Sequence, residues 1–310
     1  MYPDREIFPI ERRGNRARYT CAKGGFPVWT ANPYVRRILV AVLEDDLGRA
    51  DLTSWSALPD VRATAVVRAK QGGRIAGLPF AEILFRYLDP HVEVEALVRE
   101  GADVGAQTEV LRLRGRAHAV LAAERTALNV LMRLSGIATR TRDLAARIAG
   151  SGVRLAATRK TAPGFGFFDK YAVAVGGGLP HRFGLDDGIL LKDNHIALVG
   201  SIGEAVRRAR AHFGPYRFLQ VEVRNTDELE EALAAGVDGV LLDNFSPRSA
   251  REAVAHVRTR APRVFVEISG GITPETLPEY AKARPDAISL GYLTHSAPAL
   301  DLALDVVASE

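Results

Sequence analysis

The sequence contains very little cysteine: Cys21 is the single cysteine among 310 residues. One thiol excludes an intrachain disulfide and any metal site built from several cysteines. Chains without disulfide bonds are typical of reducing compartments, so we expect a cytoplasmic protein.

Long hydrophobic runs are also missing. No stretch reaches the roughly 18 consecutive apolar residues of a membrane helix, so no membrane partner is expected. Residues 1–20 lack the apolar segment of a secretory signal. A large charge excess is absent too, since the formal net charge is +4. That value, and the lack of aromatics among the first arginines, argue against a nucleic-acid partner and leave small anionic ligands.

The first part of the chain changes character near residue 33. Residues 1–32 are rich in Arg, Gly and Pro without clear periodicity, which predicts an irregular arm. The apolar spacing in "NPYVRRILVAVLEDDLG" predicts a helix, and the alternation in "VRATAVVRAKQGGRIAG" predicts strands. In "TEVLRLRGRAHAVLAAERTALNVLMRLSGIATRTRDLAARIAGSG" a strand is followed by a long helical pattern, with Gly136 as a candidate break. Residues 33 to about 120 are therefore predicted to form a small α+β domain.

After about residue 150 short apolar strands alternate with helices. Predicted strands end at Glu222, Asp243, Ser269 and Gly291, the third just before Gly270 and Gly271. Such alternation predicts a parallel sheet, open or closed. In a barrel the carboxyl ends of the strands converge on one mouth, where carboxylates and glycines suit a ligand better than a core.

Cations cluster in the same half of the chain. They are Arg159, Lys160, Arg182 and Lys192, and with two carboxylates and Gly-rich turns they predict anionic ligands carrying phosphate and carboxylate groups. Taken singly, most of these residues have ordinary alternatives: a solvated turn, a helix cap or a satisfied histidine. For Lys170 packing or a salt bridge is the more typical role. Glu222 is harder to dismiss, because an unpaired carboxylate in an apolar strand is costly.

Several long motifs in order resemble the quinolinate phosphoribosyltransferase family. They are "AAERTALNVLMRLSGIAT", "ATRKTAPGFGFFDKYAV", "GGGLPHRFGLDDGILLKDNH", "VEVRN", "LLDNFSP", "EISGGI" and "SLGYLTHSAP". The resemblance covers about residues 33–310 and leaves the arm unexplained.

The resemblance implies a type II phosphoribosyltransferase fold of two α/β units. An N-terminal α/β sandwich would span residues 33–120, and an incomplete TIM-like barrel would span residues 121–295. A C-terminal helix over 296–310 would return to the sandwich. The family also implies a homodimer with shared active sites, or a higher oligomer of such dimers.

The implied reaction joins quinolinate to 5-phosphoribosyl-1-pyrophosphate, with loss of CO₂ and pyrophosphate, to give nicotinate mononucleotide. Catalytic roles would fall to Lys192, Glu222 and Asp243, the last two also contacting Mg²⁺ directly or through water. By the same resemblance, the quinolinate pocket would comprise Arg159, His181, Arg182 and Lys192, with Arg125 donated by the partner subunit. The phosphoribosyl pyrophosphate site would comprise Lys160, Glu222, Asp243, Ser269, Gly270, Gly271, Gly291 and His295.

The chain departs from the family pattern at two places in the substrate loop. Gly166 stands where family members commonly carry Arg, and Pro180 where many bacterial members carry Asn. Two alternatives follow: a paralogue of the molybdenum-transport-associated type acting on another base, or a non-catalytic anion-binding protein. Lys192 in "LLKDNH" argues against the first, and the retained cations and carboxylates argue against the second.

Overall fold

The structure, a computed structural model, describes residues 10–12, 17–19 and 32–309. In the arm, β1 (Ile10–Arg12) and β2 (Ala17–Tyr19) form an antiparallel pair. This pairing corrects the prediction of an irregular arm for those two segments. Cys21 and the rest of residues 1–31 lie outside the described residues.

The first unit is built on an antiparallel sheet. Its strands are β3 (Arg62–Ala69), β5 (Glu93–Ala96), β7 (Glu109–Arg116) and β14 (Leu302–Ser309), in the order β14-β3-β7-β5. Its helices are α1 (Pro33–Leu47), α2 (Leu52–Ala57) and α3 (Leu78–Leu88). Between α2 and β7, β4 (Gly73–Arg74) pairs separately with β6 (Asp103–Val104).

The start of helix α1 is fixed by its first residues, and its apolar spacing fixes the face that it buries. The Asn32 side chain accepts the Tyr34 N–H, and Pro33 occupies the first helical turn, where its missing N–H costs nothing. Val35, Leu39 and Leu43 recur every fourth residue and are fully buried. The helix therefore packs one apolar stripe into the core, as the spacing predicts.

The end of the chain is a strand rather than a helix, so the prediction of a C-terminal helix over 296–310 is wrong. β14 pairs antiparallel with β3, with Leu302 opposite Ala69 and Ser309 opposite Ala63. The segment does return to the first unit as expected. Pairing supplies partners for the backbone groups along the edge of β3, which a helix cannot do.

Helix α4 (Ala117–Arg147) links the two units without a break at Gly136. A Cβ added at Gly136 would lie 2.0 Å from the carbonyl oxygen of Pro298. The glycine therefore permits close packing against the segment before β14 and does not divide the helix. Because α4 runs through residue 120, a domain boundary there stays a prediction.

The second unit is a six-stranded parallel sheet that curls into an incomplete barrel, which confirms the predicted fold class. The strands are β8 (Arg154–Ala156), β9 (Ile189–Leu191), β10 (Leu219–Val223), β11 (Gly239–Asp243), β12 (Phe265–Ser269) and β13 (Ala287–Ser289). Their order is β8-β13-β12-β11-β10-β9, so β8 and β9 are edges that do not pair with each other.

Helices follow the barrel strands in the predicted alternation. They are α5 (Gly166–Val175), α6 (Asp193–Val199), α7 (Ile202–Phe213), α8 (Thr226–Ala234), α9 (Pro247–Arg260), α10 (Leu277–Ala281) and α11 (Tyr292–His295). Aliphatic side chains such as Val221, Val240 and Val266 are buried on one face of the sheet. Among the described helices, none is long and apolar enough to cross a membrane.

Candidate active site

Polar side chains occupy the opposite face of the barrel sheet. Glu222 lies beside Leu241 in the register, and Leu241 lies beside Glu267. Because side chains alternate along a strand, Asp243 and Ser269, two residues further on, share that face and lie opposite each other. The carboxyl ends of parallel strands thus bring the predicted Glu222, Asp243 and Ser269 to one mouth.

Lys192 and Glu222 form an ion pair at this mouth. The Nζ atom of Lys192 lies 2.6 Å from Oε2 of Glu222, and the lysine follows directly on β9, the strand beside β10. Glu222 is largely buried while Lys192 is more exposed. A pair of this kind holds a cation in place and leaves its outer side open to an incoming anion.

Three further predicted or candidate cations, Lys170, Arg159 and Arg182, lie close enough to one another to interact. The pKa of Lys170 is lowered to about 8, chiefly by burial and also by the charges of Arg159 and Arg182, against the pull of Asp187. Burial and the charge of Arg159 likewise lower the pKa of Arg182. Like charges held this close in a partly buried pocket favour an anionic ligand.

The loop before β9 is held by hydrogen bonds to its backbone. The Lys170 ammonium donates to the carbonyl oxygen of Pro180 at 2.6 Å, and Nη1 of Arg182 donates to the carbonyl oxygen of Gly188 at 2.8 Å. Phe183 N–H donates to the carboxylate of Asp187. Lys170 therefore does more than fill the core, because its ammonium anchors the loop that carries His181 and Arg182.

His181 uses both ring nitrogens within the chain. Its Nδ1 accepts the backbone N–H of Arg182 at 2.6 Å, and its Nε2 lies 3.3 Å from Oε2 of Glu267. The backbone of His181 is left-handed, with φ 56°. This places His181 in the predicted pocket, but with its nitrogens already occupied.

The Arg159–Lys160 loop is fixed from two sides. On one side, the Thr294 hydroxyl donates to the Lys160 carbonyl oxygen at 2.7 Å. A Cβ at Gly291 would lie 2.8 Å from Cδ of Lys160 and 2.9 Å from the His295 ring, so these three predicted residues are in contact. On the other side, the N–H of Ala162 donates to buried Asp169.

Asp169 in turn ties the loop to α4. Its carboxylate accepts two hydrogen bonds from Arg133, at 2.8 and 2.7 Å. Bidentate pairing of this kind fixes orientation as well as distance. The loop is therefore positioned by the helix that joins the two units.

The turn after β12 requires its glycine. A Cβ at Gly270 would lie 2.4 Å from the Asn244 side chain and 2.7 Å from its backbone nitrogen, and Gly270 has φ 92°. Asn244 in turn donates from its side chain to Asp243 at 2.7 Å. The turn formed by Ser269, Gly270 and Gly271 therefore lies directly against Asp243, as the sequence predicts.

Arg125 is the predicted site residue that one chain does not bring to this mouth. It lies on α4 with 60% of its side chain exposed, and its guanidinium is 4.0 Å from Glu124. Within the part of the chain that the structure describes, no group of three or more His, Cys, Asp or Glu side chains is arranged to hold a metal ion.

Two residues of the site escaped the sequence reasoning. The sequence predicts a packing or salt-bridge role for Lys170 and gives no role to Glu267 inside "RVFVEIS". The sequence does carry a signal for Glu267, because it is a carboxylate within an apolar strand, as Glu222 is, and such a carboxylate is costly to bury without a partner. Nothing in the sequence near Lys170 shows that its ammonium reaches the carbonyl of Pro180.

Comparisons with known proteins agree with this geometry. The model for the N-terminal domain of quinolinate phosphoribosyl transferase matches residues 51–135, and that for its C-terminal domain matches residues 137–305. A protein of Methanocaldococcus jannaschii named probable nicotinate-nucleotide pyrophosphorylase [carboxylating] is 41% identical over 281 residues, covering 88% of this chain and 98% of its own. The nicotinate-nucleotide pyrophosphorylase [carboxylating] of Homo sapiens is 40% identical, covering 79% of this chain and 83% of its own.

Solved structures show the same architecture. The nicotinate-nucleotide pyrophosphorylase of Francisella tularensis superposes with a TM-score of 0.84 at 37% identity, covering 90% of this chain and 99% of that one. The resemblance drawn from the motifs is therefore confirmed over both units of the fold. By its two matched domains, its relatives and its architecture, the chain belongs to the quinolinate phosphoribosyltransferase family.

Proposed function

We propose that this chain transfers the phosphoribosyl group of 5-phosphoribosyl-1-pyrophosphate to quinolinate, with release of pyrophosphate and CO₂, to form nicotinate mononucleotide for NAD synthesis. The observation that carries the proposal is the partly buried group of cations beside two carboxylates at the barrel mouth. Family membership supports the same reaction. We place it in the cytoplasm, the reducing setting that the single cysteine suits.

Quinolinate is a pyridine with two adjacent carboxylates and fits the cationic part of the mouth. Arg159 and Arg182 present planar guanidinium groups that pair with carboxylates through two hydrogen bonds each. Lys192, with its outer side open, supplies a third cation. The ligand would relieve the repulsion among these cations, which is part of the binding free energy.

Phosphoribosyl pyrophosphate fits the neighbouring part of the mouth. The backbone N–H groups of the turn formed by Ser269, Gly270 and Gly271 suit a phosphate group. Lys160, Gly291 and His295, which are in contact, supply a cation and a close approach to the same group. Glu222 and Asp243 have acceptor oxygens for the ribose hydroxyls or for a metal ion.

Mg²⁺ is the metal that this donor set fits. The site offers two carboxylates and no third protein ligand among the described residues, and Mg²⁺ commonly combines one or two carboxylates with substrate phosphates and water. Glu222 and Asp243 would hold it. It would supply charge neutralisation for the departing pyrophosphate.

The chain's own residues then act by position and charge. The cations hold the pyridine nitrogen of quinolinate towards C1′ of the ribose, where that nitrogen forms a bond as the bond to pyrophosphate breaks. Glu222 and Asp243 stabilise the positive charge that develops at C1′. The ring nitrogen, now cationic, stabilises the electron pair that stays on the adjacent carbon when CO₂ departs, and that pair then takes up a proton in place of the lost carboxylate.

We further propose a homodimer in which Arg125 completes the quinolinate pocket of the neighbouring subunit. Arg125 lies on α4 and is 60% exposed, which suits a residue that acts on a partner. Leu52 and Trp55 of α2, which packs beside α4, are 71% and 76% exposed. Large apolar side chains this exposed are typical of an interface. A higher oligomer would be built from such dimers.

Incubation of the purified protein with quinolinate, phosphoribosyl pyrophosphate and Mg²⁺ tests the reaction. We expect nicotinate mononucleotide to form, with no product when EDTA is added or when nicotinate replaces quinolinate. A folded protein that binds phosphoribosyl pyrophosphate but gives no product from quinolinate would favour the paralogue acting on another base. Gly166, the first residue of α5, and Pro180, in the loop before β9, would then be the residues that changed its specificity.

Lys192→Ala tests the assignment of the cations. We expect a loss of at least about a hundredfold in kcat/KM for quinolinate, because a preorganised charge is removed. Arg248→Ala, which removes an arginine that is 91% exposed on α9, is the matched control and should keep the wild-type rate. Wild-type turnover by Lys192→Ala, with its fold intact by circular dichroism, would contradict the assignment.

A further inference from the structure

Glu267 is a buried carboxylate that the proposed reaction does not use. It lies on β12, one layer below the Ser269 turn, and is 2% exposed. Its Oε2 accepts a hydrogen bond from the Gln220 side chain at 3.0 Å, while its Oε1 is buried without a hydrogen-bond partner in the described residues. A buried carboxylate with one unpaired oxygen is costly, so it calls for a specific role.

The environment of Glu267 keeps it ionised. Burial works against the charged form, but the contact with His181 and the hydrogen bonds from Ser289 and Gln220 hold the pKa of Glu267 below its usual range. The negative charge therefore faces Nε2 of His181 across 3.3 Å. That nitrogen is held as a donor, and the proton of the neutral ring belongs on it.

His181 passes this constraint to the next residue. With Nε2 protonated, Nδ1 is free to accept, and it accepts the N–H of Arg182 at 2.6 Å. This contact fixes the left-handed backbone of His181, which is an uncommon conformation for a residue with a side chain. The direction in which Arg182 leaves the loop is thereby set, and its guanidinium is then secured on the carbonyl of Gly188.

We propose that Glu267 is a positioning residue, whose carboxylate orients the His181 ring so that His181 in turn fixes Arg182 in the cationic pocket. Both nitrogens of His181 are engaged by the chain, so His181 acts through Arg182 and does not bind the ligand through its ring nitrogens. The identity of the anion, quinolinate, rests on the proposed function; the relay from Glu267 to Arg182 is additional to it.

The relay predicts a selective loss of affinity when its charge is removed. Glu267→Gln keeps the size of the side chain but removes the carboxylate. We expect quinolinate to bind about ten- to a hundredfold more weakly in calorimetry, because a displaced arginine loses its aligned contacts. The Kd of phosphoribosyl pyrophosphate should change less than about twofold, because the relay leads to Arg182 and not to the turn formed by Ser269, Gly270 and Gly271. Glu252→Gln, at an exposed carboxylate, is the control.

A double-mutant cycle separates the relay from a general effect on structure. Asparagine tolerates a left-handed backbone and has an oxygen that accepts the Arg182 N–H, but it is too short to reach Glu267. We therefore expect His181→Asn to bind quinolinate better than His181→Ala. Adding Glu267→Gln to His181→Asn should cause no further loss, because the relay is already cut.

Three results would overturn the relay. They are wild-type quinolinate affinity in Glu267→Gln, equal weakening of both ligands together with a lower melting temperature, and additive losses in the cycle. If Glu267→Gln does not fold, equal affinities for His181→Asn and His181→Ala would overturn it. A wild-type protein that does not bind quinolinate at all would overturn the proposed function, and the inference with it.

Discussion

At the scale of single residues, the site depends on charges that the fold holds where water cannot fully screen them. Lys170 is the clearest example, because it is 1% exposed and its ammonium donates to the carbonyl of Pro180. Arg159 and Arg182 repel it. Burial therefore destabilises the charged form of Lys170, but the same ammonium holds the loop that carries the cations of the site.

That cost predicts a particular dependence of stability on pH. The pKa of Lys170 is about 8 in the folded chain and 10.5 as the ordinary value, so between these pH values the unfolded chain binds a proton that the folded chain does not. The free energy of unfolding should therefore rise with pH across this window, by on the order of 2–3 kcal/mol from this residue. Below about pH 8 both states carry the proton and the residue contributes no slope.

Comparison of the wild type with Lys170→Met isolates this contribution. Urea unfolding from pH 7 to 10.5 should show the wild type gaining stability relative to the variant, with the change confined to the region above about pH 8. Lys282→Met, at an exposed lysine of the second unit, is the control and should show no such change. A constant difference between the wild type and Lys170→Met over the whole range would mean that Lys170 is not held in the way described.

At the scale of elements, the packing of one backbone against another decides two features that were expected otherwise. Gly136 is suited to break a helix by propensity, yet α4 continues through it because the helix must pass close to Pro298 and Ala299. The family resemblance implies a helix for the last segment, yet that segment forms β14 because β3 offers an unpaired edge. In both cases the partner lies more than a hundred residues away in the chain.

Gly136→Ala therefore should destabilise the protein although alanine is the better helix former. The added Cβ meets backbone atoms, which cannot rotate away, and we expect a loss of about 1–3 kcal/mol in the free energy of unfolding. Gly105→Ala is the control, since a Cβ there meets nothing within 4 Å and its stability should be unchanged or slightly higher. A more stable Gly136→Ala variant, as helix propensity alone predicts, would refute the packing argument.

At the scale of the whole molecule, the proposed dimer makes each site depend on two chains. If Arg125 serves the neighbouring pocket, a mixed dimer of Arg125→Ala and Lys192→Ala subunits contains one site with both residues intact. Each variant alone should be nearly inactive. An equal mixture that exchanges subunits freely should regain about a quarter of the wild-type activity, since half the dimers are mixed and each has one working site.

A second mixture provides the control for this experiment. Arg159 and Lys192 belong to the same chain's pocket, so mixing Arg159→Ala with Lys192→Ala should restore nothing. Native mass spectrometry confirms that mixed dimers form. Mixed dimers of the Arg125 and Lys192 variants that stay inactive would place Arg125 outside the partner's site.

The amino-acid sequence by itself determined the parts of this protein that depend on local pattern. Alternating apolar strands and amphipathic helices indicated a parallel barrel sheet, and its predicted strand ends at Glu222, Asp243 and Ser269 lie at or within one residue of the observed ones. Local periodicity is enough for this, because side chains alternate along a strand and recur along a helix regardless of what packs on them.

Only the tertiary structure decided which distant groups meet. Glu267 and His181 are far apart in the chain, and so are Lys160 and Thr294, yet each pair is in contact. Contacts between distant parts of the chain also decide three other features: the edge pairing of β14, the unbroken α4 and the burial of Lys170. Each depends on the packing of one element against another, and the free energy of that packing is set by partners that no local window of sequence contains.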